Sequence, residues 1–214
     1  QAISHELRTP ISRMKFRVEV LRNIADDDVK SKLKKLSTDI SELDSLVEEL
    51  LLFQMLDATT PINTEIDLTS LIKSTVDEIY EPFESFALDY RFPKTPVVVL
   101  GDENHLRRMI QNLLINAFKH TKSRVVIALD DDPILFSVSD DGDGIPKEHR
   151  QRIFSSFVRL DSSRNRQTGG FGLGLAIIDR IVRIHNAEIN VEDSTLGGAK
   201  FSIKFPSITG LKAK

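Results

Sequence analysis

The stretch Ser4-His5-Glu6-Leu7-Arg8-Thr9-Pro10-Ile11 sets a histidine beside a carboxylate, with a threonine one helical turn on and a proline directly after it. Working outward from it, Leu7, Ile11, Met14, Val18 and Leu21 recur at steps of four and three, the spacing of a helical core stripe. At about 100° per residue, His5, Thr9, Ser12 and Phe16 fall on a second stripe roughly opposite the first. His5 is therefore expected to face outward, next to an acid. Imidazole is a nucleophile at neutral pH, and a carboxylate on one ring nitrogen raises the basicity of the other. Pro10 has no N–H to give the carbonyl of Glu6, so a kink is expected there.

The periodicity predicts a first helix over residues 2–23, a polar turn from Asn23 to Asp28, and an N-cap at Asp27 or Asp28. Val29, Leu33, Leu36, Ile40, Leu43, Val47 and Leu50 then alternate steps of four and three over three heptads. Two helices with apolar seams and a short loop make an antiparallel hairpin. Alone it buries too little surface to be stable, and pairing of two copies into a four-helix bundle is the expected solution. The alternative is a hairpin packed within its own chain.

Composition narrows the class. The chain has 214 residues, 40% of them hydrophobic and 29% charged, with a net charge of −3. That balance is typical of soluble domains, and the lack of a basic excess gives no reason to expect a nucleic-acid partner. The absence of cysteine excludes disulfides and thiolate metal sites and fits a cytoplasmic location. No apolar run approaches the ~20 residues of a membrane span. The sequence opens inside a helical pattern, four residues before His5, so it is expected to be a cytoplasmic fragment of a longer parent.

Residues 57–63 read as a linker, and 210–214 as a tail. Between them, over 64–209, strand and helix signals alternate. Strands are expected at Thr64–Asp67, Phe86–Tyr90, Val97–Leu100, Arg124–Leu129, Ile134–Ser139, Glu188–Glu192 and Lys200–Phe205. Helices are expected at Leu68–Pro82, Glu103–Lys119 and Leu173–His185. The order suggests an α/β sandwich, one mixed sheet covered on one face by helices.

Four motifs lie in this region. Asn112, Asn116 and Lys119 share a helix face, although asparagine is a poor residue for a helix interior. An amide oxygen at Asn116 suits a hard cation such as Mg²⁺, and Lys119 suits phosphate. Asp140-Asp141-Gly142-Asp143-Gly144 follows an apolar strand and lacks the spacing of an EF-hand calcium loop. Phe154, Phe157 and Arg159 come next; the two phenylalanines are expected to serve packing. Gly169-Gly170-Phe171-Gly172-Leu173-Gly174 leads into a helix, where glycine lets backbone N–H groups approach phosphate. Neither the Rossmann nor the P-loop glycine spacing is met. The polar segment between Gly144 and Gly169 suits a mobile lid.

In this order the motifs resemble those of sensor histidine kinases of bacterial two-component systems. Ser4 to Pro10 is similar to the H-box, the Asn112–Lys119 run to the N-box, Asp140–Gly144 to the G1 box, Phe154–Arg159 to the F-box and Gly169–Gly174 to the G2 box. The segments 157–177 and 196–201 look most like the EnvZ/RstB-like group. The resemblance covers nearly the whole chain and implies a dimerisation and phosphotransfer domain over 1–56. A catalytic ATP-binding domain of the histidine kinase, gyrase and Hsp90 type would follow over 64–209.

By the same resemblance, His5 accepts a phosphoryl group from ATP, Glu6 orients its ring and takes its proton, and Thr9 positions water when the helix helps dephosphorylate the partner. Asn116 would hold Mg²⁺, with Asn112, Lys119 and His120 beside the nucleotide; the family often has tyrosine in place of His120. Asp140 would accept from the exocyclic amine of adenine. Gly142, Gly144, Gly170, Gly172 and Gly174 would line the nucleotide, and Arg159 would approach the terminal phosphate. Phe171 replaces a common threonine. The implied partners are a second copy of the chain and a response-regulator receiver domain. The latter is expected on the outward stripe around Phe16, ringed by Ser12, Arg13, Lys15 and Arg17. The parent would sit in the bacterial inner membrane through segments outside this sequence.

Two other readings stay open on sequence. An ATPase of the gyrase or Hsp90 kind would carry a glutamate base four residues before the magnesium asparagine, where this chain has Asn112. A signalling scaffold or dedicated phosphatase would not need every motif.

Overall fold

The computed structural model describes residues 2–56, 64–160 and 171–207, and in the first helix leaves aside the side chains of residues 2–6 and 8. The chain divides into two compact units, residues 1–58 and 59–214.

The first unit is a helical hairpin of α1 (Ala2–Ile24) and α2 (Asp27–Met55). The turn is shorter than the sequence suggested. The N-cap is Asp26, not Asp27 or Asp28, and its carboxylate accepts from the backbone N–H of Val29 at 2.9 Å. Asp27 and Asp28 instead occupy the first helical turn, where negative charge opposes the helix dipole favourably. α1 runs as one helix through Pro10.

The expected core stripe splits in two. Ile11 and Val18 of α1 pack with Leu33 and Ile40 of α2 into a buried cluster, edged by Ala25 and Val47. Leu7, Met14 and Leu21 of α1, and Val29, Leu36 and Leu43 of α2, are all 38–49% exposed. In both helices the buried residues recur every seven positions, and so do the exposed ones. Each helix thus has one heptad position inside the hairpin and one outside it.

Among its described residues the second unit has seven strands: β1 (Thr64–Asp67), β2 (Ala87–Arg91), β3 (Val98–Gly101), β4 (Arg124–Asp131), β5 (Ile134–Asp140), β6 (Glu188–Asp193) and β7 (Ala199–Lys204). They form two sheets rather than the single sheet expected. β1 and β3 pair as an antiparallel ribbon, with Thr64 opposite Gly101. The other five run in the order β2-β4-β5-β7-β6, parallel only between β2 and β4. Among the described residues three α-helices accompany them: α3 (Leu68–Ile79), α4 (Glu103–His120) and α5 (Gly174–Ile184). The helix expected to reach Pro82 stops at Ile79, and Glu81–Phe83 is a separate 3-10 turn holding that proline near its start.

The core follows from the amphipathic faces of these elements. Leu106, Met109, Ile110, Leu113, Leu114, Ala117 and Phe118 form a continuous buried face along α4. It packs between α3 and α5 and against β5. Phe83 stacks on Phe118 with ring centroids 4.8 Å apart. Asp67 caps α3 and Asp102 caps α4, each accepting two backbone N–H bonds in the first turn.

A histidine also ties the start of α4 to the end of α5. Buried His185, at the C-cap of α5, places Nδ1 against the carbonyl of Ile181 at 2.8 Å. Its Nε2 accepts from the backbone N–H of Asp102 at 3.1 Å. Gly101 leaves the space this ring needs: a Cβ there would come within 2.7 Å of His185 Cδ2.

Candidate nucleotide site

The site is built where β5 ends against the last turn of α4. Asp140 closes β5 and is 3% exposed. Its Oδ1 accepts from the backbone N–H of Gly142 at 2.9 Å and of Ala199 at 3.1 Å. Burial pushes its pKa above the usual carboxylate value, and these two amides only partly oppose that shift. A carboxylate so desolvated favours any further donor strongly.

Glycines make this packing possible. A Cβ on Gly142 would overlap the carbonyl oxygen of His120 and come within 2.9 Å of Asp140 Oδ1. A Cβ on Gly198 would overlap Asp140 Oδ1 and the backbone nitrogen of Gly142, and lie 2.6 Å from the Asp140 carbonyl oxygen. Gly144 has φ of 72° and lies against Gly198, so it needs the left-handed region open to glycine.

Asp141, the next residue, turns the other way. Its Oδ1 accepts from Thr121 Oγ1 (2.5 Å), Lys122 N (2.8 Å) and Ser123 N (3.0 Å), and its Oδ2 from Ser123 Oγ (2.5 Å). Burial raises its pKa, but these bonds together outweigh burial and hold the carboxyl far below the ordinary range. Asp143 is exposed and pairs with Lys122 at 2.6 Å.

Asn112 and Asn116 lie half-buried on α4, while Lys119 and His120 are exposed in its last turn. Asn112 Nδ2 is buried and has no hydrogen-bond partner among the described residues. Its amide oxygen faces Gly174, the first residue of α5, where a Cβ would lie 3.5 Å away. The N-terminus of α5 has no side-chain cap, so its backbone donors are not satisfied in that way. A donor without a partner beside an uncapped helix start fits an anionic group, and a buried acceptor at Asp140 fits a nucleobase amine. The residues present therefore suit a nucleotide. Among the described residues no three His, Cys, Asp or Glu side chains gather into a metal cage.

Gly172 has φ of 74°, and a Cβ on it would lie 2.9 Å from the backbone of Phe157 and Val158. Its carbonyl accepts from Phe157 N at 2.9 Å. The packing expected of both phenylalanines holds for one. Phe154 meets Phe201 edge to face, whereas Phe157 is 60% exposed on a left-handed backbone, φ 64°. The same residue makes the backbone bond to Gly172. Arg159 is exposed.

Thr9 is exposed on α1, and Phe16 is 70% exposed, as its place opposite the buried seam requires. The side chains of His5 and Glu6 lie outside the described residues, as do Gly169, Gly170 and the linker at 57–63. The sequence reading missed Gly198, Ala199 and Asp141. The Gly197–Gly198 pair between two strands was the available signal for the first two.

Comparison with known proteins identifies the family of both units. Residues 101–209 match the histidine kinase-, DNA gyrase B- and HSP90-like ATPase domain, and residues 1–59 match the His kinase A phospho-acceptor domain. The chain is 34% identical over 209 residues to the sensor histidine kinase CpxA of Escherichia coli K12, covering 95% of this chain and 45% of CpxA. It is 36% identical over 210 residues to the sensor protein RstB of the same organism, covering 95% and 47%. It thus spans less than half the length of these curated relatives. Full-length ShkA, solved in complex with AMPPNP, superposes with a TM-score of 0.80 at 27% identity, over 96% of this chain and 44% of ShkA. With an acceptor-helix domain followed by this ATPase domain, the chain belongs to the sensor histidine kinases.

Proposed function

We propose that this chain is the catalytic core of a sensor histidine kinase that phosphorylates its own His5 from ATP and passes the phosphoryl group to an aspartate of a response regulator. The observation that carries the reading is Asp140, a buried carboxylate held by two amides on one oxygen and able to accept from adenine with the other. Guanine has a carbonyl at the matching position and would be rejected, because two acceptors would then face each other.

A ring nitrogen of His5 attacks the γ-phosphorus. The new P–N bond forms as the bond to the ADP oxygen breaks, and the ring proton passes to Glu6. Such transfer depends on positioning and charge neutralisation. Asn112, Lys119 and the start of α5 would bind the phosphates, with Gly142 and Gly144 against the base. His120, Gly170 and Gly172 would line the same site, and Arg159 would meet the terminal phosphate. Mg²⁺ would be held by the Asn116 amide oxygen and would neutralise phosphate charge.

Thr9 would serve hydrolysis of the regulator's phosphoaspartate, since it lies one turn from His5. The surface around Phe16 would receive the regulator, whose acidic active site suits Arg13, Lys15 and Arg17. The exposed heptad positions of α1 and α2 would meet those of a second copy, giving a four-helix bundle. Among the described residues no helix is long and apolar enough to cross a membrane. Attachment of the parent to the inner membrane would come from other segments, leaving this part in the cytoplasm.

Incubation with γ-labelled ATP tests the reading. Label stable to base and labile to acid, lost in His5→Gln, is the expected result. Label persisting at the wild-type level on that variant refutes it.

A further inference from the structure

Asp141 takes no part in the nucleotide contacts proposed above, yet it is the most heavily bonded carboxylate near them. Four donors converge on it, two backbone N–H groups and two hydroxyls, all from residues 121–123 just past the end of α4. They lie 18 to 20 positions away in sequence, so this is a tertiary tie and not a local turn. Thr121 Oγ1 extends the tie: its one proton serves Asp141, and its oxygen accepts from Arg124 N at 3.1 Å. Directly beside it, Gly142 lets the β5 end touch the carbonyl of His120.

We propose that Asp141 is a positioning residue for nucleotide binding, whose carboxylate clamps the segment leaving α4, residues 121–123, onto the end of β5. The adenine acceptor Asp140 sits on β5, and the phosphate-facing residues Asn112, Asn116 and Lys119 sit on α4. A ligand spanning both elements binds well only if their spacing is fixed beforehand. The adjacent acids thus divide the work: Asp140 turns inward to the base, and Asp141 turns outward to fix the frame. The proposal rests on the nucleotide reading of this site.

The clamp depends on acceptor geometry, so asparagine should largely replace aspartate. Its carbonyl can take the three Oδ1 bonds, and its NH₂ can donate to Ser123 Oγ. Asp141→Ala removes all four bonds. ATP affinity is measured by calorimetry and kinase rates at saturating ATP on the whole chain, well below each variant's melting temperature. The expected result is an ATP Kd raised about tenfold or more in Asp141→Ala, returned to within about threefold by Asp141→Asn, with the saturated rate little changed. Ser123→Ala removes one exposed hydroxyl without threatening the fold and should raise Kd about twofold to threefold.

Wild-type affinity in folded Asp141→Ala or in Ser123→Ala, or equal damage from alanine and asparagine at 141, overturns the clamp. A wild-type chain that fails to bind ATP at all refutes the nucleotide reading itself, which separates the two failures.

Discussion

Asp140 and Gly198 approach so closely that no side chain fits between them: a Cβ on Gly198 would overlap Asp140 Oδ1. The next residue, Ala199, donates its N–H to that same oxygen at 3.1 Å. The turn between β6 and β7 therefore forms one wall of the acceptor, and Gly142 forms another. The obstructing atoms are backbone and a buried carboxylate, so a Cβ there is accommodated only if one of them is displaced.

Gly198→Ala is accordingly predicted to disrupt the seat of Asp140. Either the turn shifts and the Ala199 bond to Asp140 is lost, or the carboxylate moves. Both outcomes weaken ATP binding by an expected tenfold or more, about 1.4 kcal/mol. Fluorescent-nucleotide titration of the folded variant decides the matter, and wild-type affinity would contradict this account of the wall.

Asp140→Asn should separate affinity from stability. Burial raises the carboxyl pKa, which means that the ionised form is disfavoured in the fold. Asparagine can keep both amide bonds through its carbonyl oxygen while removing the desolvated charge. Its NH₂ then meets the adenine amine donor to donor. The variant should melt at or above the wild-type temperature near pH 7 and bind ATP more weakly. A lower melting temperature with unchanged affinity would assign Asp140 to the fold instead of the ligand.

The reading of the sequence succeeded where periodicity or local chemistry was decisive. Both hairpin helices, α4 and all seven strands were visible to within a few residues, because amphipathic spacing and caps are local signals. The split of the heptad stripe was not visible: Ile11 and Met14 are both apolar, and which of them faces α2 depends on how the hairpin packs. The separation of β1 and β3 from the main sheet likewise rests on pairing between distant segments. In the site, Asp140 stood out through its glycine-rich context. Asp141 carried no signal of its own because its partners, residues 121–123, lie 18 to 20 positions away in sequence. Phe157 was assigned to packing on its apolar character, whereas it sits on a left-handed backbone, bonded to Gly172, and is exposed.

His185 predicts an acid-sensitive fold. Burial lowers its pKa from the ordinary 6.5; the Ile181 carbonyl works against this, the facing His105 adds to it and Asp102 opposes it. The folded state thus binds fewer protons than the unfolded state below the unfolded pKa. The contribution is complete above about pH 6.5 and declines as pH falls below it, by at most about 1.4 kcal/mol per pH unit. Protonating Nε2 would also remove the acceptor that receives Asp102 N–H. Urea unfolding between pH 8 and pH 5 should show this decline in wild type and a flatter profile in His185→Gln. Equal slopes would place the acid sensitivity elsewhere.

The heptad split gives a test of assembly. Leu36 is 46% exposed in the hairpin, while Ile40, one turn on, is 6% exposed. If the chain acts alone, Leu36→Glu changes a surface residue and should alter stability by roughly 0.5 kcal/mol or less. If the exposed stripe meets a second copy, the same change buries a charge among leucines and methionines, at a cost of several kcal/mol per ion. Sedimentation equilibrium at micromolar concentration should then find a dimer for wild type and a monomer for Leu36→Glu. Ile40→Ala, inside the hairpin, should lower helix stability by about 2–5 kcal/mol as a buried truncation. The hairpin released by Leu36→Glu should lose helical signal, because two helices alone bury too little apolar surface. A wild-type monomer, or an unchanged dimer in Leu36→Glu, would rule out association through this face.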